Sequence, residues 1–315
     1  MTLTDVPATQ SGPTISDRDW RRLLRTRAQD PSAIARAYAE RRRPGRILSD
    51  AGTLFLVAAD HPARGALGSG RDPLAMADRR SLLARLVEAL SHPGVDGVLG
   101  TPDIVEELLL LGALEGKVVI GSMNRGGLDG AVWTMDDRFT GYDAASIARN
   151  RLEGGKMLLR IDDEDAGTAE TLQGCADAVS ALAAEELVAM VEPLPYRRGV
   201  DGTLRLLKDV PSLSRAITVA SGLGATSAHT WLKMPSCDDP EAVFAATSLP
   251  CVVLGGVPGP DPARDLESWG RALRQPPVRG LVVGRALLYP PDGNVFGAVD
   301  AAAAVLRAAH WEVDR

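Results

Sequence analysis

From Thr53 onward the chain alternates short, almost wholly apolar runs with longer stretches of helical periodicity. Eight such runs stand out, at 54–59, 97–99, 117–121, 156–161, 187–192, 230–234, 251–254 and 280–283. A strand with one wet face alternates apolar and polar residues. A strand buried on both faces is apolar throughout, as these are. Amphipathic stretches at 79–90, 102–111, 144–152, 166–184, 240–246, 262–273 and 295–309 lie between or after them, and 204–223 bridges runs five and six. Strands regularly separated by helices predict a parallel sheet covered by helices. Eight units predict an α/β protein of the (β/α)8 TIM-barrel class. An open doubly wound sheet would carry a dinucleotide fingerprint after an early strand. The glycine-rich loop 64–70 has neither that spacing nor a helix opening directly behind it.

The first fifty residues have no strand pattern. The Thr, Ser, Pro and Gly of 1–16 read as disordered. Two helices follow, an arginine-rich one at 17–29 and another at 33–43, with Pro31 near its start. The expected organisation is a disordered N-terminus and helical extension over 1–50, then a barrel domain over 51–315.

Apolar residues make up 45% of the chain, enough for a full core, while aromatics are only 4%, so small aliphatics must do the packing. A net charge of −6 argues against a general nucleic-acid-binding surface. No apolar run is long enough to span a membrane and the N-terminus lacks a signal-peptide core, so a cytoplasmic location without membrane contact is expected. Cys175, Cys237 and Cys251 are too scattered for a disulfide framework or zinc site and read as buried thiols. The four histidines have no metal-ligand spacing, and neither a metal nor a cofactor is expected. His61 is read as capping the turn before Pro62, and His92 and His310 as surface residues near helix ends.

Of 35 basic residues only four are lysines: Lys117, Lys156, Lys208 and Lys233. Two of them sit inside apolar runs, Lys156 in run four and Lys233 in run six. Arginine neither loses its proton at working pH nor forms a Schiff base, whereas a desolvated lysine does both. Strand alternation pairs Trp231 with Lys233 on one face and Leu232 with Met234 on the other, which turns Lys233 toward the barrel axis. Lys156, Leu158 and Arg160 share a face in the same way. Two buried lysines disfavour each other's charge, one route to a neutral amine near pH 7. Asp60 after run one and Glu192 at the end of run five supply carboxylates to hold one lysine charged and to shuttle protons. The competing explanation is a buried structural ion pair.

Gly255-Gly256 follow run seven and Gly284-Arg285 follow run eight. Barrel phosphate sites are commonly built there, since glycine admits phosphate oxygens to backbone N–H groups and arginine adds a charged fork. Arg160 is a further candidate for the phosphate. The long segment 122–143, carrying Asn124 and Arg125, is expected to line or cover the site.

The series Ala59-Asp60, Lys156-Met157-Leu158-Leu159, Val191-Glu192-Pro193 and Leu232-Lys233-Met234, with Gly-Gly and Gly-Arg after runs seven and eight, resembles the metal-independent class I (Schiff-base) aldolases. The likeness is to tagatose-bisphosphate and archaeal-type fructose-bisphosphate aldolases, and to aldolase-like barrels of actinobacterial inositol catabolism. It implies Lys233 as the Schiff-base lysine, Lys156 as proton relay, Glu192 as acid/base and Asp60 as an ordering carboxylate. It also implies a lyase that cleaves a carbon–carbon bond of a phosphorylated ketose or keto-sugar acid, 2-deoxy-5-keto-gluconate 6-phosphate being one such substrate, in a homo-oligomer. One departure stands out: deoxyribose-phosphate aldolases carry a second lysine in strand seven, where Leu254 or a neighbour stands here. Two other readings are open, a phosphate-binding barrel isomerase or epimerase without an imine, and a non-catalytic sugar-phosphate-binding barrel.

Overall fold

The computed structural model describes residues 14–259 and 261–309. Eight parallel strands close on themselves. In chain order the nine strands are β1 (Leu54–Ala58), β2 (Gly97–Gly100), β3 (Val118–Ser122), β4 (Gly154–Ile161), β5 (Val188–Arg198), β6 (Leu204–Leu206), β7 (Thr230–Pro235), β8 (Cys251–Leu254) and β9 (Val278–Val283). The ladder runs β1-β2-β3-β4-β5-β7-β8-β9 and returns to β1, with Leu54 opposite Gly280 at the closing seam. The TIM barrel predicted from the apolar runs is therefore the observed architecture, and each run falls on a barrel strand.

Strand β6 was not anticipated. It pairs antiparallel with the far end of β5, Tyr196 opposite Leu206. Pro193 and Pro195 made that end of β5 read as loop. They are tolerated because the N–H of Ala189 points toward β7, donating to His229, and residues 193 and 195 point the same way. The β5–β7 ladder stops at Val191 opposite Leu232, so the missing N–H groups have no ladder to break.

Helices α1 (Asp17–Gln29) and α2 (Ser32–Glu40) precede the barrel. The expected second helix ran to residue 43, but it ends three residues earlier. The Arg41 side chain turns inward to Glu153, and Arg41 also donates to the carbonyls of Lys117 and Arg151. Tyr38 meets Tyr142 oxygen to oxygen at 2.6 Å, docking α2 against the barrel. The disorder expected over 1–16 concerns mostly 1–13, which lie outside the described residues.

Around the barrel stand α3 (Arg79–Ser91), α4 (Pro102–Leu110), α5 (Ala144–Arg149), α6 (Gly167–Ala184), α7 (Val210–Ser221), α8 (Pro240–Phe244), α9 (Pro262–Leu273), α10 (Arg285–Leu288) and α11 (Val295–Ala308). Alternation sorts the core into two compartments. Phe55, Val57, Met157, Leu159, Leu232 and Met234 face the helices, whereas Leu54, Leu56, Leu99, Ile120, Met190 and Val252 fill the barrel floor. Among the described residues no helix is long and apolar enough to cross a membrane.

Candidate active site

Above that apolar floor the inward positions become charged. Register places Lys156 on β4 opposite Met190, with Glu192 two residues further along β5. Lys233 on β7 lies opposite Val252. Leu232 and Met234 pack outward against the helices, so alternation leaves Lys233 facing in, as expected. Asp60 follows β1.

These four side chains form one connected cluster. Glu192 bridges the lysines: its Oε1 lies 2.5 Å from Lys233 Nζ, and its Oε2 pairs with Lys156 Nζ. Lys156 Nζ also donates to Asp60 Oδ2 at 3.2 Å. Lys156 is 1% exposed and Lys233 4%, so neither amine is a surface charge.

Two further residues complete the cluster. Ser122, the last residue of β3, donates its hydroxyl to Asp60 Oδ2 at 3.2 Å. Arg125, three residues on, donates Nε to Ser122 Oγ at 3.0 Å and brings Nη2 to 2.8 Å from Asp60 Oδ2. Sequence reasoning named Arg125 only as part of a loop over the site. Its place depends on segment 122–143 folding back, with Asn124 bonded to the Leu158 backbone through both ends of its amide. The one signal in the sequence was a polar pair, Asn124-Arg125, directly after a buried strand.

Burial and charge set the protonation states. Burial pushes the Lys156 pKa down, and Arg125 lowers it further; against the pull of Asp60 and Glu192 it settles at about 8. Burial would raise Glu192, but Lys156 and then Lys233 overcome this and hold it at about 2. Burial likewise opposes ionisation of Asp60, and Arg125 and Lys156 keep it well below the usual carboxylate range.

His61 departs from expectation. Its side chain caps no turn; Nδ1 sits 3.8 Å from Asp60 Oδ1 with no hydrogen-bond partner among the described residues. Burial drives its pKa to about 3, so it is neutral beside Asp60. His92 is buried rather than on the surface: Nδ1 accepts from the Gly94 N–H at 3.0 Å and the ring packs on Phe296. His310 lies outside the described residues.

Arg160 was expected at the phosphate. It shares the inward face with Lys156, but its guanidinium grips Asp137 at 2.8 and 2.7 Å and donates to the Thr134 carbonyl. That fork ties β4 to the long segment. The segment reaches the loop after β1, where its Asp129 N–H donates to the Arg64 carbonyl at 2.8 Å.

The glycines after β8 and β9 meet at one edge of the mouth. Gly256 has φ +67°, which favours glycine. A Cβ on Gly284 would stand 2.5 Å from the Ala58 carbonyl oxygen and 3.0 Å from His61 Cε1, so only glycine lets β9 run so close to β1. Helix α10 starts at Arg285, whose Nη1 donates to the Gly68 carbonyl at 3.3 Å and whose Nε is buried without a partner among the described residues. A cavity of about 830 Å3 lies beside this edge, between the loop after β1 and α9, α10 and α11. None of the four charged residues lines it. Among the described residues no group of three or more His, Cys, Asp or Glu is placed to hold a metal ion.

The fold is that of the class I, Schiff-base aldolases. A Schiff-base-forming fructose-1,6-bisphosphate aldolase superposes with a TM-score of 0.62 at 17% identity, over 87% of this chain and 99% of its own. An archaeal fructose-1,6-bisphosphate aldolase, solved with its catalytic lysine covalently bound to the carbinolamine of its substrate, gives 0.62 at 16% identity, over the same shares of the two chains. The chain belongs to the Cgl0159-like family, whose profile matches residues 52–303. Cgl0159 from Corynebacterium glutamicum is 46% identical, with a TM-score of 0.90 over 94% of this chain and 99% of that one. No curated protein matches in sequence.

Proposed function

We propose that this protein is a metal-independent class I aldolase, a lyase acting on a phosphorylated ketose or keto-sugar acid through a Schiff base on Lys233. The observation that carries the reading is the buried bridge of Glu192 between Lys233 and Lys156. It joins an amine to a proton acceptor through a carboxylate too acidic to keep the proton.

With Lys156 near pKa 8, a substantial neutral fraction exists at physiological pH. Passage of a proton from Lys233 through Glu192 to neutral Lys156 leaves the Lys233 amine free. That amine attacks the substrate carbonyl carbon, and the carbonyl oxygen takes a proton from the Lys156–Glu192 pair to give a carbinolamine. Loss of water yields an iminium. The proton of the hydroxyl beyond the scissile bond passes through Glu192 to neutral Lys156. The carbon–carbon bond breaks, its electron pair passes to the iminium, and an enamine and a free aldehyde result. Reprotonation of the enamine carbon and hydrolysis by water release the second product and regenerate the lysine. Asp60 orders Lys156 throughout.

The phosphate of the substrate is assigned to Gly255, Gly256, Gly284 and Arg285, since glycine admits phosphate oxygens to backbone N–H groups and Arg285 Nε is buried without a partner among the described residues. Within this class, 2-deoxy-5-keto-gluconate 6-phosphate is a specific candidate. Incubation with sodium borohydride and each of a panel of sugar phosphates, read by peptide mass, tests the reading. The expected product is a reduced adduct on the Lys233 peptide. Turnover alongside an unmodified Lys233 peptide would overturn it.

A further inference from the structure

Five charged groups are sealed together in the barrel mouth, and their charges do not balance. Lys156, Lys233 and Arg125 bring three positive charges; Asp60 and Glu192 bring two negative ones. All five are at most 7% exposed. A surplus charge in such a place is relieved by loss of a proton. An arginine does not release its proton, so the loss falls on a lysine.

We propose that Arg125 is a positioning residue for the reaction: by claiming Asp60 it leaves Lys156 without a full counter-charge, so Lys156 gives up its proton more readily and supplies the free amine that accepts the Lys233 proton. This rests on the aldolase reading for its place in catalysis.

The geometry is a competition for one oxygen. Arg125 Nη2 is 2.8 Å from Asp60 Oδ2 and Lys156 Nζ is 3.2 Å from the same atom. Arg125 is held at both ends, its backbone N–H donating to Thr140 Oγ1 at 3.2 Å and its Nε to Ser122 Oγ at 3.0 Å. Ser122 in turn donates to Asp60 Oδ2. Every element packed around Lys156 fits this account. The β1 end brings Asp60 and the neutral His61, β3 and its loop bring Ser122 and Arg125, β5 brings Glu192, and β7 brings Lys233. On the helix side stands the Cys175 thiol, which burial pushes up to about 12 and so keeps uncharged. After burial itself, Arg125 is the largest influence holding Lys156 down.

The scarcity of lysine makes the test direct. With [13C]lysine incorporated, the whole chain gives four side-chain ε-carbon signals, assigned by single Lys→Arg variants. In the unaltered protein the Lys156 signal is expected to titrate with a midpoint at about 8. In Arg125→Gln the midpoint should rise by about one unit or more, because a neighbouring cation has gone. The acid limb of the cleavage profile should move up with it. Arg125→Lys keeps a positive charge and should hold the midpoint near its original place. A purely structural Arg125 would lower activity equally at every pH and leave the midpoint unmoved; that result overturns the proposal. If Arg125→Gln does not fold, Ser122→Ala, which removes the Nε acceptor, takes its place. A smaller upward move is then expected, and an unmoved midpoint again overturns the proposal. No substrate is needed for the titration. A shifted midpoint without any borohydride adduct would therefore sink the aldolase reading and leave the charge argument intact.

Discussion

Two buried ion clusters sit at opposite ends of the same barrel. At the floor, Arg41 and Arg43 pair with Glu153 at 3.0 and 2.9 Å. Glu153 also accepts the Val119 N–H at 2.8 Å, and Arg41 spends further donors on two backbone carbonyls. At the mouth, Glu192 pairs with Lys156 and Lys233. Both clusters place one glutamate between two cations; at the mouth all three groups are buried, whereas at the floor Arg41 and Glu153 are buried and the Arg43 side chain is 42% exposed. They differ in the cation. The floor uses arginine, whose charge is fixed and whose planar fork reads carbonyls and carboxylate together. The mouth uses lysine, whose proton can leave once burial and Arg125 lower its affinity. The difference separates a cluster of fixed charges, which ties the segment after α2 to the barrel, from one whose lysine can release a proton.

The sharpest way to break this contrast is Lys233→Met. Activity should fall by about 10^4-fold or more, as for loss of a covalent nucleophile, while a thermal melt stays close to the parent's. Survival of cleavage in that variant would end the Schiff-base reading.

The floor should respond in the opposite currency. Glu153→Ala strands Arg41, which is 1% exposed, without its carboxylate. A loss of about 3–5 kcal/mol in denaturant unfolding is expected. Molecules still folded should cleave substrate at near-parental kcat. An unchanged melt would mean that Glu153 does not anchor the extension.

A smaller change is expected from Lys156→Arg, which keeps the charge and removes the proton acceptor. The rate should drop by about 10^2-fold or more, a typical contribution of general acid–base catalysis. The acid limb of the pH profile should also change. With Lys156 intact the neutral form grows as pH rises through about 8, so kcat/KM should climb toward that value and level off above it. An acid limb that stays in place when Lys156 becomes Arg would assign it to another group.

Least affected should be Arg285→Gln, which leaves both clusters intact. An increase in KM for the phosphorylated substrate with little change in kcat is expected. Equal loss for phosphorylated and dephosphorylated substrates would remove the phosphate site from this edge.

The barrel was legible because strands such as β1 and β8 are buried on both faces and so are apolar throughout. The β5–β6 hairpin was not, since its prolines sit on a side where the ladder has already ended, which no local pattern reveals. Lys156, Glu192, Lys233 and Asp60 were legible because strand ends and alternation alone brought them inward. Arg125 was hidden because its place depends on a long segment folding back on Ser122. The Arg160–Asp137 pair was hidden for the same reason: Asp137, 23 residues upstream, reaches the guanidinium only in the folded chain.

Lysine placement has a consequence for the outside of the molecule as well. Lys156 and Lys233 are sealed in the mouth, and Lys117 donates into the Val95 carbonyl at 2.6 Å. Lys208 is the one lysine classed among the exposed residues. Aldehydes leaving the mouth would therefore meet a coat of guanidinium groups with almost no lysine amine to capture them. On the proposed aldolase chemistry, the same sparing use of lysine would confine imine formation to one position and spare the rest of the chain slow carbonyl damage by its products.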